Sequence, residues 1–335
     1  MILIDSIYIN SLGGKTILQL IINKLIKTDL SNLYFIFDKR LDQNVYSKIP
    51  TENFIVFEAS HKKRKDFYSE NYLNYSKIVC LANIPPPIRI AKEVIIYFHN
   101  DLLLFPFKSS LPLFNKLINL VKNKYIHFYN NNNYNWVVQT SLVKEKLIKS
   151  FKIKNNNAFV FPIYTLRGPK SFLKKEAATF VYITSNEKHK NLKMLLDGFI
   201  DASKKVKIQL ELNLTIQSSK LNKLNSIKNL NIICHGSLDI DRVYKLYEKS
   251  KFLIFPSLNE SFGLPLIEAV DNSCKVITSD LPYVHEIIEP SLTFDPYSVE
   301  SISVAIQKAV SNDNLLETKV IVENKLDNFI EYILK

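Results

Sequence analysis

Short, unbroken apolar runs alternate along the chain with longer stretches whose apolar positions recur every three to four residues, and this alternation predicts strands and helices in turn. In the first half the runs are ILIDSIYI (2–9), LYFIFD (33–38), 53–57, 77–81, 93–98 and 136–139, with helical periodicity at 17–26, 111–128 and 142–151. In the second half the runs are TFVYITS (179–185), 210–216, 231–234, KFLIF (251–255) and the start of CKVITSDLPYVHEII (274–288), with helices at 192–202, 299–310 and 315–334. Runs that are apolar throughout suit strands covered on both faces, and helices between them give doubly wound parallel sheets. A chain of 335 residues has room for two such cores. The turn-rich stretch FPIYTLRGPKSFLKK (161–175) lacks either period and reads as a linker. The expected division is a Rossmann-like domain at 1–162, a linker at 163–175, a second Rossmann-like domain at 176–315, and a helix within 316–335 that packs back on the first domain.

Composition narrows the classes. With 47% hydrophobic residues the chain is globular. No apolar run approaches the roughly 18 residues of a membrane helix, and the amino terminus enters a strand without a basic lead, so a cytoplasmic protein is expected. Cys80, Cys234 and Cys274 are odd in number and without CxxC spacing, which favours buried free thiols. The net charge of +12 is lopsided: residues 1–165 hold 22 Lys and Arg against 11 Asp and Glu, and the rest hold 22 against 21. A basic first half suits an anionic partner, a phospholipid surface or a lipid-diphosphate acceptor. Nucleic acid is disfavoured, because the aromatics are spread along the chain and no RNA or DNA motif occurs. The densest cluster, HKKRK at 61–65, opens an amphipathic helix with Phe67, Tyr68, Tyr72 and Leu73, and reads equally as a solvated helix face.

The segment FPSLNESFGLPLIE (255–268) follows the buried strand KFLIF. A strand stopped by Pro256 ends at a sheet's carboxyl edge, where open α/β sheets bind ligands. Pro265 suits a first helical turn and leaves the preceding amides, Gly263 included, without intrahelical partners. Such amides attract anions and hydroxyls. Glu260 on the loop and Glu268 one turn into the helix are expected to face one cleft, a few ångströms apart, as a polyhydroxylated ligand requires.

The two glutamates with seven residues between them, framed by PS and SFGLP, resemble the signature of family 4 retaining glycosyltransferases of the GT-B fold, the glycosyl transferases group 1. The resemblance implies two Rossmann-like domains with an interdomain cleft, a nucleotide sugar on the second and an acceptor on the first. It gives Glu260 the hydroxyls of the transferred sugar, the amides of Ser261, Phe262, Gly263 and Leu264 further donor contacts, and Glu268 the ribose. The HKN triplet at 189–191 resembles the family's donor-diphosphate loop, which makes Lys190 the stabiliser of the leaving group, with Ser185 and His189 beside it. Relatives often carry an arginine upstream; Thr184, Ser185 and Asn186 stand here instead, leaving a second cation to Lys188 or His189 or to nothing. Gly236 is placed near the base. Asp239 and Asp241 form a D-x-D pair, but at a helix start they read as capping residues, and no metal is expected.

In the first domain the NSLGGKT turn puts Gly13 and Gly14 in a loop near the donor phosphate or acceptor. A phosphate-binding Walker loop is disfavoured, because Ile9 occupies the position of its first glycine. His99, at the end of EVIIYF, has the place of the family's histidine near the reacting centre. LLLFPF (102–107) reads as core or as an exposed lip toward lipid. The expected activity is transfer of a sugar from a UDP- or GDP-sugar to a glycan or lipid-linked acceptor in bacterial surface polysaccharide synthesis, with retention, without a metal or other cofactor, by front-face attack in which the departing phosphate oxygen takes the acceptor proton. Two other classes share the architecture: a sugar-nucleotide epimerase, which needs an acid and a base but no acceptor, and a non-catalytic partner subunit, which binds nucleotide weakly or not at all.

Overall fold

The computed structural model describes residues 1–10, 12–106, 113–168 and 175–335. The chain divides into two compact units, Met1–Thr165 with Glu323–Lys335, and Leu166–Val322.

The first unit is a parallel sheet of β1 (Ile2–Asp5), β2 (Leu33–Asp38), β3 (Phe54–Phe57), β4 (Lys77–Cys80), β5 (Glu93–Tyr97), β6 (Asn135–Val138) and β7 (Ala158–Val160), in the order β3-β2-β1-β4-β5-β6-β7. Around it lie α1 (Leu12–Leu25), α2 (His61–Asn71), α3 (Leu113–Tyr129), α4 (Ser141–Phe151) and α10 (Leu326–Leu334). One apolar cluster under α1 and α10 takes Phe35, Phe37, Val79 and Ile95. Another, on Leu3, Ile78, Val94 and Trp136, is closed by Tyr68, Ile126 and Leu147 from α2, α3 and α4. The run ILIDSIYI stops being a strand at Asp5, whose carboxylate accepts the amide of Ile7 at 3.0 Å. Tyr8 then takes a left-handed φ of 79°, with its amide donating to Asp38 at 3.0 Å. α1 starts at Leu12, so Gly13 and Gly14 form part of its first turn and not a loop before it.

Arg64 of the HKKRK cluster corrects the reading of that cluster as a solvated face. Its side chain is fully buried and donates to the buried Asp5 at 2.8 Å and to the Pro85 carbonyl at 2.8 Å. Tyr68, one turn on, donates to the same carboxylate at 2.8 Å. A buried charge needs such partners. In LLLFPF, Leu103, Leu104 and Pro106 are buried, which makes this described part core and not a lip; Phe107 lies outside the described residues.

The second unit has a parallel sheet of β8 (Glu176–Tyr182), β9 (Leu210–Leu214), β10 (Leu230–Cys234), β11 (Ser250–Phe255), β12 (Lys275–Ser279) and β14 (Leu292–Phe294), in the order β10-β9-β8-β11-β12-β14. Its helices are α5 (Leu192–Lys205), α6 (Ile240–Lys249), α7 (Leu264–Asp271), α8 (Pro282–His285) and α9 (Val299–Ser311). A small antiparallel pair joins β13 (Ile288–Glu289) to β15 (Lys319–Val320). The continuous helix expected at 315–334 is therefore broken. Val320, Ile321 and Val322 are β-branched and favour the strand side, and α10 begins after Asn324, whose side chain accepts the Leu326 amide at 3.1 Å. That helix buries Leu326, Phe329, Ile330 and Ile333 in the first unit's core.

The first part of the stretch read as a linker is anchored. The Tyr164 carbonyl accepts from Asn324 in the first unit, and the amides of Arg167 and Gly168 donate to Asp271 of the second at 2.6 and 2.8 Å.

Candidate functional site

In a doubly wound sheet the strand order reverses at one point, and the loops leaving the carboxyl ends there diverge to open a crevice. The second unit reverses between β8 and β11. The loop after β8 carries Ser185, His189 and Lys190, and the loop after β11 carries Glu260. Two residues singled out separately, 70 positions apart, therefore meet: Lys190 Nζ lies 2.7 Å from Glu260 Oε1, with both side chains largely sequestered. The backbones are tied as well. The Leu258 amide donates to the His189 carbonyl at 2.8 Å, and the buried Tyr182 hydroxyl donates to the Lys190 carbonyl at 2.6 Å and lies 3.2 Å from the Ser257 hydroxyl. Lys190 is thus a cation fixed at the crevice, 6.0 Å from the centre of the Phe255 ring.

α7 opens beside it. Gly263 precedes the helix with a φ of 83°, which a side chain resists, and a Cβ there would come within 3.1 Å of Leu266 Cδ1. Pro265 sits in the first turn and no side chain caps the helix; the Leu266 amide donates to the Gly263 carbonyl at 2.9 Å. Phe262 is buried, while Ser261 and Leu264 are partly open. Glu268 turns to another partner than Glu260 does: Tyr247 of α6 donates its hydroxyl at 3.0 Å. Burial raises the Glu268 pKa, opposed by that hydrogen bond and by the charge of Arg167. Tyr247 carried no sequence signal, since a tyrosine on a helix face reads as core. Gly236, after β10, also has a left-handed φ of 73°. His189 is buried with Nε2 3.8 Å from Glu187, and Lys188, just before the HKN triplet, is exposed. Ser185 donates to Glu187 at 3.0 Å. Asp239 caps α6, accepting the Arg242 amide at 2.9 Å, and Asp241 pairs with Arg167 at 3.1 Å, so the D-x-D pair is engaged structurally.

The first unit reverses between β1 and β4, and a cavity of about 480 Å³ opens there. Tyr8 and Asn10 line it from the loop after β1, Asn83 from the loop after β4, His99 from the end of β5, and Tyr125 from α3. Gly13 and Gly14 are not among its lining residues. Asn83, in a left-handed conformation with φ 69°, accepts the His99 amide at 2.6 Å and places its own amide nitrogen 3.2 Å from His99 Nε2. With that nitrogen accepting, the ring is neutral. Burial lowers the His99 pKa to about 4, partly offset by a hydrogen bond to the Leu81 backbone. His99 therefore serves as a neutral polar group near neutral pH. Asn83 was missed in the sequence; its signal is an asparagine, tolerant of positive φ, directly after a strand.

Residues 167–331 match the family model described as Glycosyl transferases group 1. The O-antigen chain mannosyltransferase RfbU of Salmonella typhimurium is 24% identical over 151 residues, 44% of this chain and 42% of that protein. The chain spans less than half the length of the first curated relatives it matches. Two solved structures extend the likeness to nearly the whole chain. WaaG, a glycosyltransferase involved in lipopolysaccharide biosynthesis, has a TM-score of 0.66 at 13% identity, with 93% of this chain and 91% of that one covered. Anabaena HepE, solved with UDP-glucose, has a TM-score of 0.60 at 11% identity, with 99% and 98% covered. The two parallel-sheet units and these neighbours give the chain the GT-B fold, and the family match supports a glycosyltransferase.

Proposed function

We propose that the chain is a retaining, metal-independent family 4 glycosyltransferase that moves a sugar from a UDP- or GDP-sugar to a glycan or lipid-linked acceptor in O-antigen or lipopolysaccharide-type synthesis, working in the cytoplasm at an anionic membrane surface. The observation that carries the reading is the contact of Lys190 with Glu260 at the carboxyl-edge crevice of the unit that matches the family. In use the pair separates. Lys190 turns to the diphosphate and Glu260 to the hydroxyls of the sugar. Glu268, held by Tyr247 through one oxygen, keeps the other for the ribose. The acceptor hydroxyl attacks the anomeric carbon on the face from which the phosphate departs; the carbon–oxygen bond to the phosphate breaks, and the departing oxygen takes the hydroxyl proton. Lys190 neutralises the charge that grows on that phosphate, a contribution worth about 10²–10³ in rate for a preorganised group. Glu260 orients the sugar without becoming a covalent nucleophile. His99, neutral in its cavity, offers a polar contact to the sugar or acceptor.

The test is binding and slow hydrolysis of UDP-, GDP- and ADP-sugars, mannosyl donors first because RfbU is a mannosyltransferase. Saturable binding to one donor, lost in Lys190→Ala and Glu268→Ala, is the expected result, with a product whose anomeric configuration by NMR equals the donor's. An inverted product sinks the front-face mechanism. No binding to any nucleotide sugar leaves the non-catalytic scaffold.

A further inference from the structure

The helix α3 presents its apolar side to solvent. Leu113, Phe114, Leu117, Ile118, Val121 and Phe128 are between 39% and 72% exposed. Their spacing of three, four and seven puts them along one stripe. The inward side is the more polar one: the buried Asn123 donates to the Leu103 carbonyl at 2.8 Å, and Ile126 alone among the large aliphatics of α3 is fully buried. This reverses the polarity of an ordinary surface helix, and an exposed stripe of this size marks an interaction site.

Charge selects the partner. α3 carries Lys116, Lys122 and Lys124 and no carboxylate. The start of α2 packs beside it, with the His61 ring 5.5 Å from that of Tyr125, and brings the exposed Lys62 and Lys65 to the same neighbourhood, while Lys63 pairs with Glu58 at 3.0 Å. Arg89 lies over the Phe128 ring at 5.6 Å. Cations flanking an apolar stripe are what an anionic bilayer surface accommodates, with side chains in the acyl boundary and ammonium groups among the headgroups. A second copy of the chain fits badly, because a self-complementary interface would bring the lysines of α3 together, and that helix offers them no carboxylate.

We propose that α3 lies in the surface of an anionic membrane, its stripe from Leu113 to Val121 inserted and its lysines among the lipid phosphates. Val121 and Tyr125 also line the first unit's cavity, so the cavity opens at the docked helix. An acceptor carried on a lipid can then reach it without leaving the membrane. The docking deepens the membrane part of the proposed function and rests on it for its purpose, but its geometry stands apart from any transfer chemistry.

Flotation of the full chain with phosphatidylcholine vesicles, alone and with about 30% phosphatidylglycerol, tests it. The wild type is expected to float with the anionic vesicles and to be released as salt rises. The triple variant Phe114→Ser/Leu117→Ser/Ile118→Ser, which touches no cavity residue, is expected to lose binding by about tenfold or more. Lys62→Glu/Lys124→Glu is expected to bind the anionic vesicles only as weakly as the neutral ones. Equal flotation of wild type and both variants, or none by the wild type, overturns the proposal. So does a wild-type dimer that the triple variant converts to monomer without vesicles, which assigns the stripe to a second copy. Donor binding, read separately on the same samples, decides the enzymatic reading: flotation without donor binding fails that reading and leaves the docking standing.

Discussion

His99 shows how a residue's position can follow from the sequence while its surroundings do not. Its position at the end of β5 follows from the sequence, but its protonation state follows from burial and from Asn83, which the sequence did not connect to it. A histidine whose pKa falls on folding is protonated more readily in the unfolded chain, so unfolding takes up a proton between the two values. Stability is therefore present in full above about 6.5 and is lost as the pH falls toward about 4. His127 and His235 are also lowered by burial, so the His99 share must be taken as a difference. His99→Gln should flatten the fall in unfolding free energy across that window by up to about 3 kcal/mol. Denaturant unfolding at several pH values measures it, and parallel curves for the two proteins would show that His99 is not buried as neutral imidazole. Arg64 teaches the same lesson in the opposite direction. Inside a run of five basic and aromatic-flanked residues nothing distinguishes it from Lys62 or Lys65, yet its partner Asp5 lies 59 positions away.

Helix packing exposes a choice at the scale of elements. α5 lies against α9 with Gly198 beneath Ile302, and a Cβ at Gly198 would overlap the Ile302 side chain. Alanine would gain about 1 kcal/mol of helix propensity at an interior position, while overpacking costs about 1–3 kcal/mol. The cost wins here, because the clash meets a β-branched side chain with little rotamer freedom. Gly198→Ala should lower the unfolding free energy of the second unit, and Ile302→Ala should recover part of the loss in the double variant. Strict additivity in thermal unfolding would disprove the close approach. The strands were legible because a buried parallel strand is apolar throughout: β2 runs over the residues expected, and β4, β5 and β11 differ at their ends only. The three-residue β7 was too short to carry a pattern, and the break before α10 was hidden by apolar residues that fit a helix as well as a strand. In the site, Lys190 and Glu260 were legible through motif and strand-end position. Their mutual contact, and those of Glu268 with Tyr247 and His99 with Asn83, depend on which strands lie side by side, and local periodicity does not record strand order.

At the scale of the whole molecule, the first unit is completed by a segment from the far end of the chain. α10 returns Leu326, Phe329, Ile330 and Ile333 to its core, the Lys325 amide donates to the Pro162 carbonyl at 2.8 Å, and Lys24 pairs with Asp327 at 2.6 Å. Burial of four large apolar side chains contributes about 6–12 kcal/mol before the ordering of the segment is charged against it. A net loss on the order of 3–5 kcal/mol on removing the segment would consume much of an ordinary domain's stability. The single tryptophan makes this measurable: Trp136 lies on β6, fully buried in the first unit, so its fluorescence follows that unit alone. A chain ended after Val322 should show the tryptophan transition at markedly lower temperature or denaturant, while the transition of the second unit, followed by amide hydrogen exchange, stays where it is in the full chain. A tryptophan transition that does not move would mean that α10 adds nothing to the first unit's core, and equal movement of both transitions would mean that the two units unfold as one.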